Sequence, residues 1–389
     1  MLLFTALISV GMGQSLMFAL LPPVARSMGL SEIQVGAIFA VSAVLWVVFS
    51  PYWGQRSDVW GRRPVILMGL LGYAVSMAAF GLVVQANLAG WLSLLPAYAA
   101  MILARSVFGF FGSATVPAAQ AYVADRTSVE ERASQIALQG AGFGLGVTIG
   151  PGAVSLLLVF GLLTPFYVVA ALGVLSALWV GLRLPEQRSP EAGRGPLPRR
   201  MSPRDPRVLP LLLIGIALGI CQSTTMQTVG FYAIDVLGMP VAESARWVGF
   251  ALMGTAAAGL FVQLVVIRLL KPSPWTLMGA GGAVGLAGFT LMIVGNSYPA
   301  LFLAMVLLGL SFGLVRPGTV AGASLAVEWN EQGAVAGLMN TTGAIGVMLA
   351  PFVGMSLYQF MPRAPYLLNL VLSGVICGFV LLRWKRQAR

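Results

Sequence analysis

Gly54-Gln55-Arg56-Ser57-Asp58-Val59-Trp60-Gly61-Arg62-Arg63 is a run of ten polar and flexible residues wedged between two long apolar stretches, 33–52 and 64–85. An apolar stretch of about 20 residues is long enough to cross the hydrocarbon of a bilayer as a helix. Two crossings joined by so short a run leave and re-enter the membrane on the same side. Gly54 and Gly61 supply the freedom for a tight turn and for close approach to a neighbouring helix. Asp58 is the only acid of the run, with Arg62 four residues on and Arg63 next to it, placed to face a helix N-terminus or a cation. Read from charge alone, this is a basic loop held in the cytoplasm.

The rest of the chain has the same character. Of its 389 residues 58% are hydrophobic and 9% charged, with a mean hydropathy of +0.89, too little polar surface to cover a soluble protein of that length. The formal charge of +11 does not point to nucleic acid, because the basic residues sit in short segments between apolar runs and form no single patch. Cys221 and Cys377 both fall within apolar runs, so neither a disulfide framework nor a metal site is expected, and no cofactor is implied. The absence of His removes the usual proton shuttle near neutral pH. The first run begins at Leu2 without a basic leader or a small-residue cleavage site, and reads as a retained helix.

Counting apolar runs predicts an all-α integral membrane protein of twelve spans: 2–21, 33–52, 64–85, 94–123, 133–158, 164–184, 208–237, 245–267, 275–295, 300–327, 333–358 and 364–383. With the N-terminus inside, eighteen of the twenty-three Lys and Arg fall on the cytoplasmic side. Three fall outside, and Arg105 and Arg316 lie within spans. That asymmetry places both termini in the cytoplasm. Residues 185–207 carry six prolines and six arginines, too polar to span or to pack, and read as a flexible cytoplasmic linker between an N-terminal half, 1–184, and a C-terminal half, 208–389.

The two six-helix halves repeat. A shift of 200 residues lays Gly109 on Gly309, Pro117 on Pro317, Gly146 on Gly346 and Pro151 on Pro351 without a gap. Duplicated halves related in this way make a cavity at their interface.

Gly54, Asp58, Gly61, Arg62 and Arg63 stand at the spacing of the signature between helices 2 and 3 of the major facilitator superfamily, which the chain resembles over nearly its whole length. Arg56 replaces a usually apolar residue and Val59 an often basic one. The resemblance implies that Asp125, ending the fourth span, completes a charge network with Asp58 and Arg62. In the fifth span Gly142, Gly146 and Gly150 line one helix face, and Pro151 and Gly152 follow. The spacing alone is that of close helix packing. It also resembles the signature of the proton-coupled antiporter branches, in which helix 5 meets helix 8, although Ala153 stands where that signature has a further glycine.

Arg105 and Arg316 carry charge into the hydrocarbon core at a cost of about 2.5–3.5 kcal/mol each, and so should face a wet cavity or a partner, unless they snorkel or bond carbonyls. Arg105, followed by Gly109, resembles the family's helix 4 motif, tied to proton coupling or substrate, with Phe108 in place of the usual Gln. No carboxylate lies mid-span. A proton carrier is then Asp58, Asp125 or Asp235, the last reading better as a surface residue. Gln222, Ser223, Thr224, Thr225, Gln227 and Thr228 crowd the seventh span, which reads as a water-filled lining or as hydroxyls bonded to their own helix. With Gln14, Arg105, Phe108, Phe111, Met226, Phe231, Tyr232, Phe312 and Arg316, Gln222 and Thr225 make up a candidate aromatic and polar substrate cavity.

The expected activity is export of small amphiphilic compounds or drugs from an inner membrane in exchange for protons, by a monomer rocking between two states. The alternative is export of an anionic or siderophore-like compound held by Arg105 and Arg316. A receptor or scaffold fits the paired repeat less well. No phosphate-binding loop or nucleophile-and-base arrangement points to an enzyme.

Overall fold

The structure, a computed structural model, describes residues 2–127, 129–186, 201–328 and 331–387. Twelve helices among the described residues are long and apolar enough to cross a membrane. They are α1 (Leu2–Met28), α2 (Glu32–Trp60), α3 (Arg62–Leu88), α4 (Leu94–Val123), α5 (Val129–Leu157) and α6 (Thr164–Arg183). After the linker come α7 (Leu209–Asp235), α8 (Val241–Phe261, running on to Leu270), α9 (Pro274–Val294), α10 (Tyr298–Leu325), α11 (Gln332–Ala350, running on to Phe360) and α12 (Ala364–Gln387). Helix is the form a chain takes in lipid, where no water can satisfy an open backbone group.

The helices group into two units. The first holds α1 to α6 together with Val241–Gly249, and the second holds α7, the chain from Phe250 onward and α9 to α12. Within the first, α1 runs along α5 and α6, α3 along α4 and α6, and α2 along α4. Within the second, α7 runs along α11 and α12, and α9 along α10 and α12, the same neighbours in the same order.

The glycines matched by the 200-residue shift do matching work. A Cβ added to Gly109 of α4 would stand 2.6 Å from the Ser42 carbonyl oxygen of α2, and one added to Gly309 of α10 would collide with the Thr255 carbonyl of α8. Gly146 lets α5 close on Ile8 and Met12 of α1, as Gly346 lets α11 close on Gly219 of α7. In lipid, where apolar burial drives no association, such backbone proximity is the main source of helix attraction. The outward faces are apolar: Leu175, Leu178, Trp179 and Leu182 form an exposed stripe along α6. Pro351 opens a π-helical turn, Pro351–Met355, which carries α11 past the missing backbone donor.

Two sequence expectations need correction. The run Gly54–Arg63 is not a loop, since α2 continues to Trp60 and α3 starts at Arg62, leaving Gly61 alone as the turn, at φ +98°. That left-handed conformation is open to glycine at no steric cost. Gly54 lies inside α2, where an added Cβ would stand 3.8 Å from Pro117 of α4. Hydropathy marks where lipid ends, whereas a helix satisfies its own backbone and continues beyond it. The linker, expected not to pack, is anchored at both described ends. Pro185 accepts hydrogen bonds from Tyr122 and Arg126, and Arg207 pairs with Asp205 and with Glu331. Linker residues 187–200 lie outside the described residues.

Candidate functional site

The Gly61 turn sets the first cluster. Reversing the chain in one residue brings the last turn of α2 against the first of α3, so Asp58 Oδ1 lies 2.5 Å from Arg62 Nη2. Arg62 Nε reaches Asp125 Oδ2 at the end of α4, 3.0 Å away, and its Nη1 donates to Ser57 Oγ at 2.6 Å. The Arg62 side chain is 9% exposed and that of Asp58 is 44% exposed, so one buried guanidinium is shared between two acids that solvent can still reach. Arg63 points elsewhere. Its guanidinium donates to the Gly181 carbonyl, and its backbone N–H donates to Glu186 Oε2 at 2.9 Å. Glu186 thereby supplies a negative charge and an acceptor at the N-terminus of α3, where Gly61 has no side chain to do so. Sequence reasoning placed Asp58, Arg62 and Asp125 together and missed Ser57 and Glu186. No spacing rule joins positions 63 and 186.

The α5 glycines face α1. Added Cβ atoms at Gly142 and Gly150 would meet the Phe4 and Met12 carbonyl oxygens at 2.8 and 2.7 Å, and Gly146 would collide with Ile8. The contact with α8 made by α5 falls one turn later: Ser155 Oγ donates to the Arg246 carbonyl at 2.8 Å, and a Cβ on Gly249 would stand 2.5 Å from the Pro151 carbonyl. Gly152 is buried beside them.

Arg105 is 3% exposed on α4. Its guanidinium lies over the Phe108 ring at 4.4 Å, and neither Nε nor Nη1 has a hydrogen-bond partner among the described residues. Stacking on an aromatic face offsets part of the cost of burying the cation. The Phe108 ring is 5.9 Å from that of Tyr73, whose hydroxyl bonds the Ser9 carbonyl of α1. The Gln14 Oε1 atom of α1 is likewise buried without a partner. Phe111 packs with Trp53 and Phe110 over Gly72, in the helix contact and not in a cavity.

In the second unit, α7, α10 and α11 enclose a cleft of about 40 Å³. Gly219 and Gln222 of α7, Arg316 and Thr319 of α10, and Thr342 and Gly343 of α11 line it. Arg316 lines this cleft and is exposed. The remaining candidates of the seventh span divide around the helix, because consecutive residues step by about 100°. Thr225 is fully buried, donating to the Cys221 carbonyl and accepting from Asn369 of α12. Tyr232 is buried with its hydroxyl on the Met292 carbonyl, and Phe231 packs 6.0 Å from Tyr358. These three are packing residues and do not line the cleft. Met226 is half-buried and Phe312 buried, both outside its lining. Asp235 is exposed at the end of α7, where Tyr358 donates to it at 2.9 Å. Asn369 on α12 and Gly343 on α11 were not singled out from the sequence, since neither breaks the pattern of an apolar span.

Residues 3–351 match the family model of the Major Facilitator Superfamily, and the chain belongs to that family. Among its relatives, the class D tetracycline resistance protein of Salmonella ordonez is 29% identical over 98% of this chain and 95% of its own length. Multidrug resistance protein 2 of Bacillus subtilis is 24% identical, covering 99% of this chain and 94% of its own. A bacterial homolog of the human lysosomal transporter Spinster, in an inward-facing and occupied conformation, has the same fold at a TM-score of 0.76 with 15% identity, covering 99% of this chain and 96% of that one. The chain is therefore a multi-pass membrane transporter with relatives named for resistance to tetracycline and to multiple drugs, and not an enzyme.

Proposed function

We propose that this chain exports small amphiphilic compounds across an inner membrane in exchange for protons, its two units moving between inward-open and outward-open states. The observation that carries the proton half is the sharing of Arg62 between Asp58 and Asp125. A proton on either acid removes one of two charge partners from a guanidinium that the fold keeps buried, and so loosens whichever state that pairing holds. Removing one partner of a fully buried pair costs about 3–5 kcal/mol, and the cost is smaller here because the second acid remains. The Asp58 side chain is 44% exposed, so solvent screens its share and only a fraction of that cost remains; about 1.4 kcal/mol would shift the equilibrium tenfold. The drug half rests on the relatives named for resistance to tetracycline and to multiple drugs. Asp58 and Asp125 are the proton carriers of this reading, the excess of Lys and Arg sets both termini in the cytoplasm, and the transporting species is the monomer.

The test is proton flux from proteoliposomes of the full chain on adding lipophilic cations, neutral drugs or organic anions. Wild type should release or take up protons with the transported compound, and Asp58→Asn and Asp125→Asn should each cut coupled flux at least tenfold. Transport that survives collapse of the proton gradient would overturn antiport. A second reading, export of an anionic compound, is supported by Arg316, a cation in an open cleft with no acid among its lining residues. It draws no support from Arg105, which lines no part of that cleft.

A further inference from the structure

Arg316 stands nine residues, about 14 Å of helix, before the end of α10, well inside the helix. No hydrogen bond or ion pair ties its guanidinium to the described residues, and the three helices around it offer no counter-charge at its level. Neither α10 nor α11 contains Asp or Glu, and Asp235 of α7 lies 13 residues, about 20 Å, beyond Gln222. The two threonines of the cleft are already committed as donors: Thr319 to the Val315 carbonyl and Thr342 to the Met339 carbonyl, each at 2.7 Å. The donors left for a ligand are the guanidinium and the Gln222 amide. The volume of about 40 Å³ admits roughly three water-sized groups, the bulk of one carboxylate. Leu218, Val320 and Met339 add apolar wall beside this polar end.

We propose that this cleft is an oxyanion subsite that takes the carboxylate of an amphiphilic monoanion, with Arg316 as its charge partner and Gln222 as a second donor. The assignment rests on the transporter reading and narrows its substrate to compounds bearing one acidic group on an apolar body. A phosphate headgroup of the surrounding lipid shares the oxyanion chemistry, and competition by added lipid distinguishes the two sources.

Gly343 provides a steric probe of the site. A Cβ there would stand 4.0 Å from Arg316 Nη2 with nothing else of the described residues within 4 Å, so alanine fits the fold while its methyl adds bulk to the lining of the cleft. The experiment is equilibrium binding of 2-naphthoate and of its neutral match, 2-naphthamide, to the purified full chain in maltoside micelles. Wild type should prefer the acid by at least tenfold, the discrimination a charge-assisted hydrogen bond supplies. Arg316→Gln should abolish that preference, and Gly343→Ala should weaken naphthoate at least tenfold without lowering the unfolding temperature. Equal binding of acid and amide by wild type, or a preference that survives Arg316→Gln, would overturn the subsite. Displacement of naphthoate by added phosphatidylglycerol would assign the cleft to lipid and overturn the solute. Because micelles hold no gradient, binding without transport in proteoliposomes would sink the transport reading alone, and transport of cations only, with no acid preference, would sink the subsite alone.

Discussion

Arg105 and Arg316 sit in the corresponding helices of the two units, α4 and α10, yet they occupy opposite environments. Arg105 is sealed against Phe108 with two of its nitrogens unpartnered among the described residues, whereas Arg316 opens onto a cleft. The 200-residue shift that overlays Gly109 on Gly309 puts Met305 opposite Arg105 and Val116 opposite Arg316. What the repeat preserves is the set of positions where backbones touch. The charges follow no such register. Contact glycines are fixed by the geometry both units share, while a charge is free to differ wherever each unit has its own chemistry.

The largest effect should separate the two arginines. Arg105→Met removes a buried, partly unpartnered cation and should leave stability unchanged or raise it by about 1–4 kcal/mol, read as a higher unfolding temperature in micelles. Arg316→Met removes a cation that solvent already reaches and should move stability by no more than about 0.5 kcal/mol. A large loss on Arg105→Met would mean that the folded protein gives Arg105 a partner, erasing the contrast.

The glycine register should break next. Gly309→Ala and Gly109→Ala both press a methyl onto a carbonyl, at Thr255 and Ser42, and each should cost about 1–3 kcal/mol of thermal stability. Tolerance at one and not the other would show that the repeat is looser than its spacing. A smaller effect is expected for Glu186→Gln, which keeps the acceptor for the Arg63 N–H but drops the charge at the start of α3, a loss of about 0.3–1 kcal/mol that added salt should mask. The second unit offers the matching tie. Arg207 holds the Asp205 and Glu331 carboxyls below their usual range chiefly through its hydrogen bonds. Both groups have depressed folded values, so the contact is intact above the ordinary carboxylate range and is lost as pH falls through those lowered values. Arg207→Gln should flatten that acid-side dependence of amide exchange around Glu331, with a barely measurable change at neutral pH.

Sequence alone determined the twelve crossings, the duplication and the membership of Arg62, Asp58 and Asp125 in one cluster. The first two follow from one-dimensional properties, a length of apolar residues set by bilayer thickness and an unbroken register; Asp58 and Arg62 are joined by a spacing of one turn, and Asp125 joins them only through the family resemblance. Even there polarity alone makes the last turn of α2 look like loop, because it marks the end of the apolar run and not the end of the helix. Only the tertiary structure decided which face each residue shows. Gln222 lines a cleft while Thr225, one turn on, is sealed against Asn369, and Phe231 and Tyr232 fill packing contacts instead of a cavity. Whether a polar residue in a span meets water, a carbonyl or another helix depends on neighbours more than a hundred positions away, as with Glu186 on Arg63 and Asn369 on Thr225. No local pattern in the chain encodes those distances, because lipid asks only that a span be apolar on average and leaves the inward faces to packing.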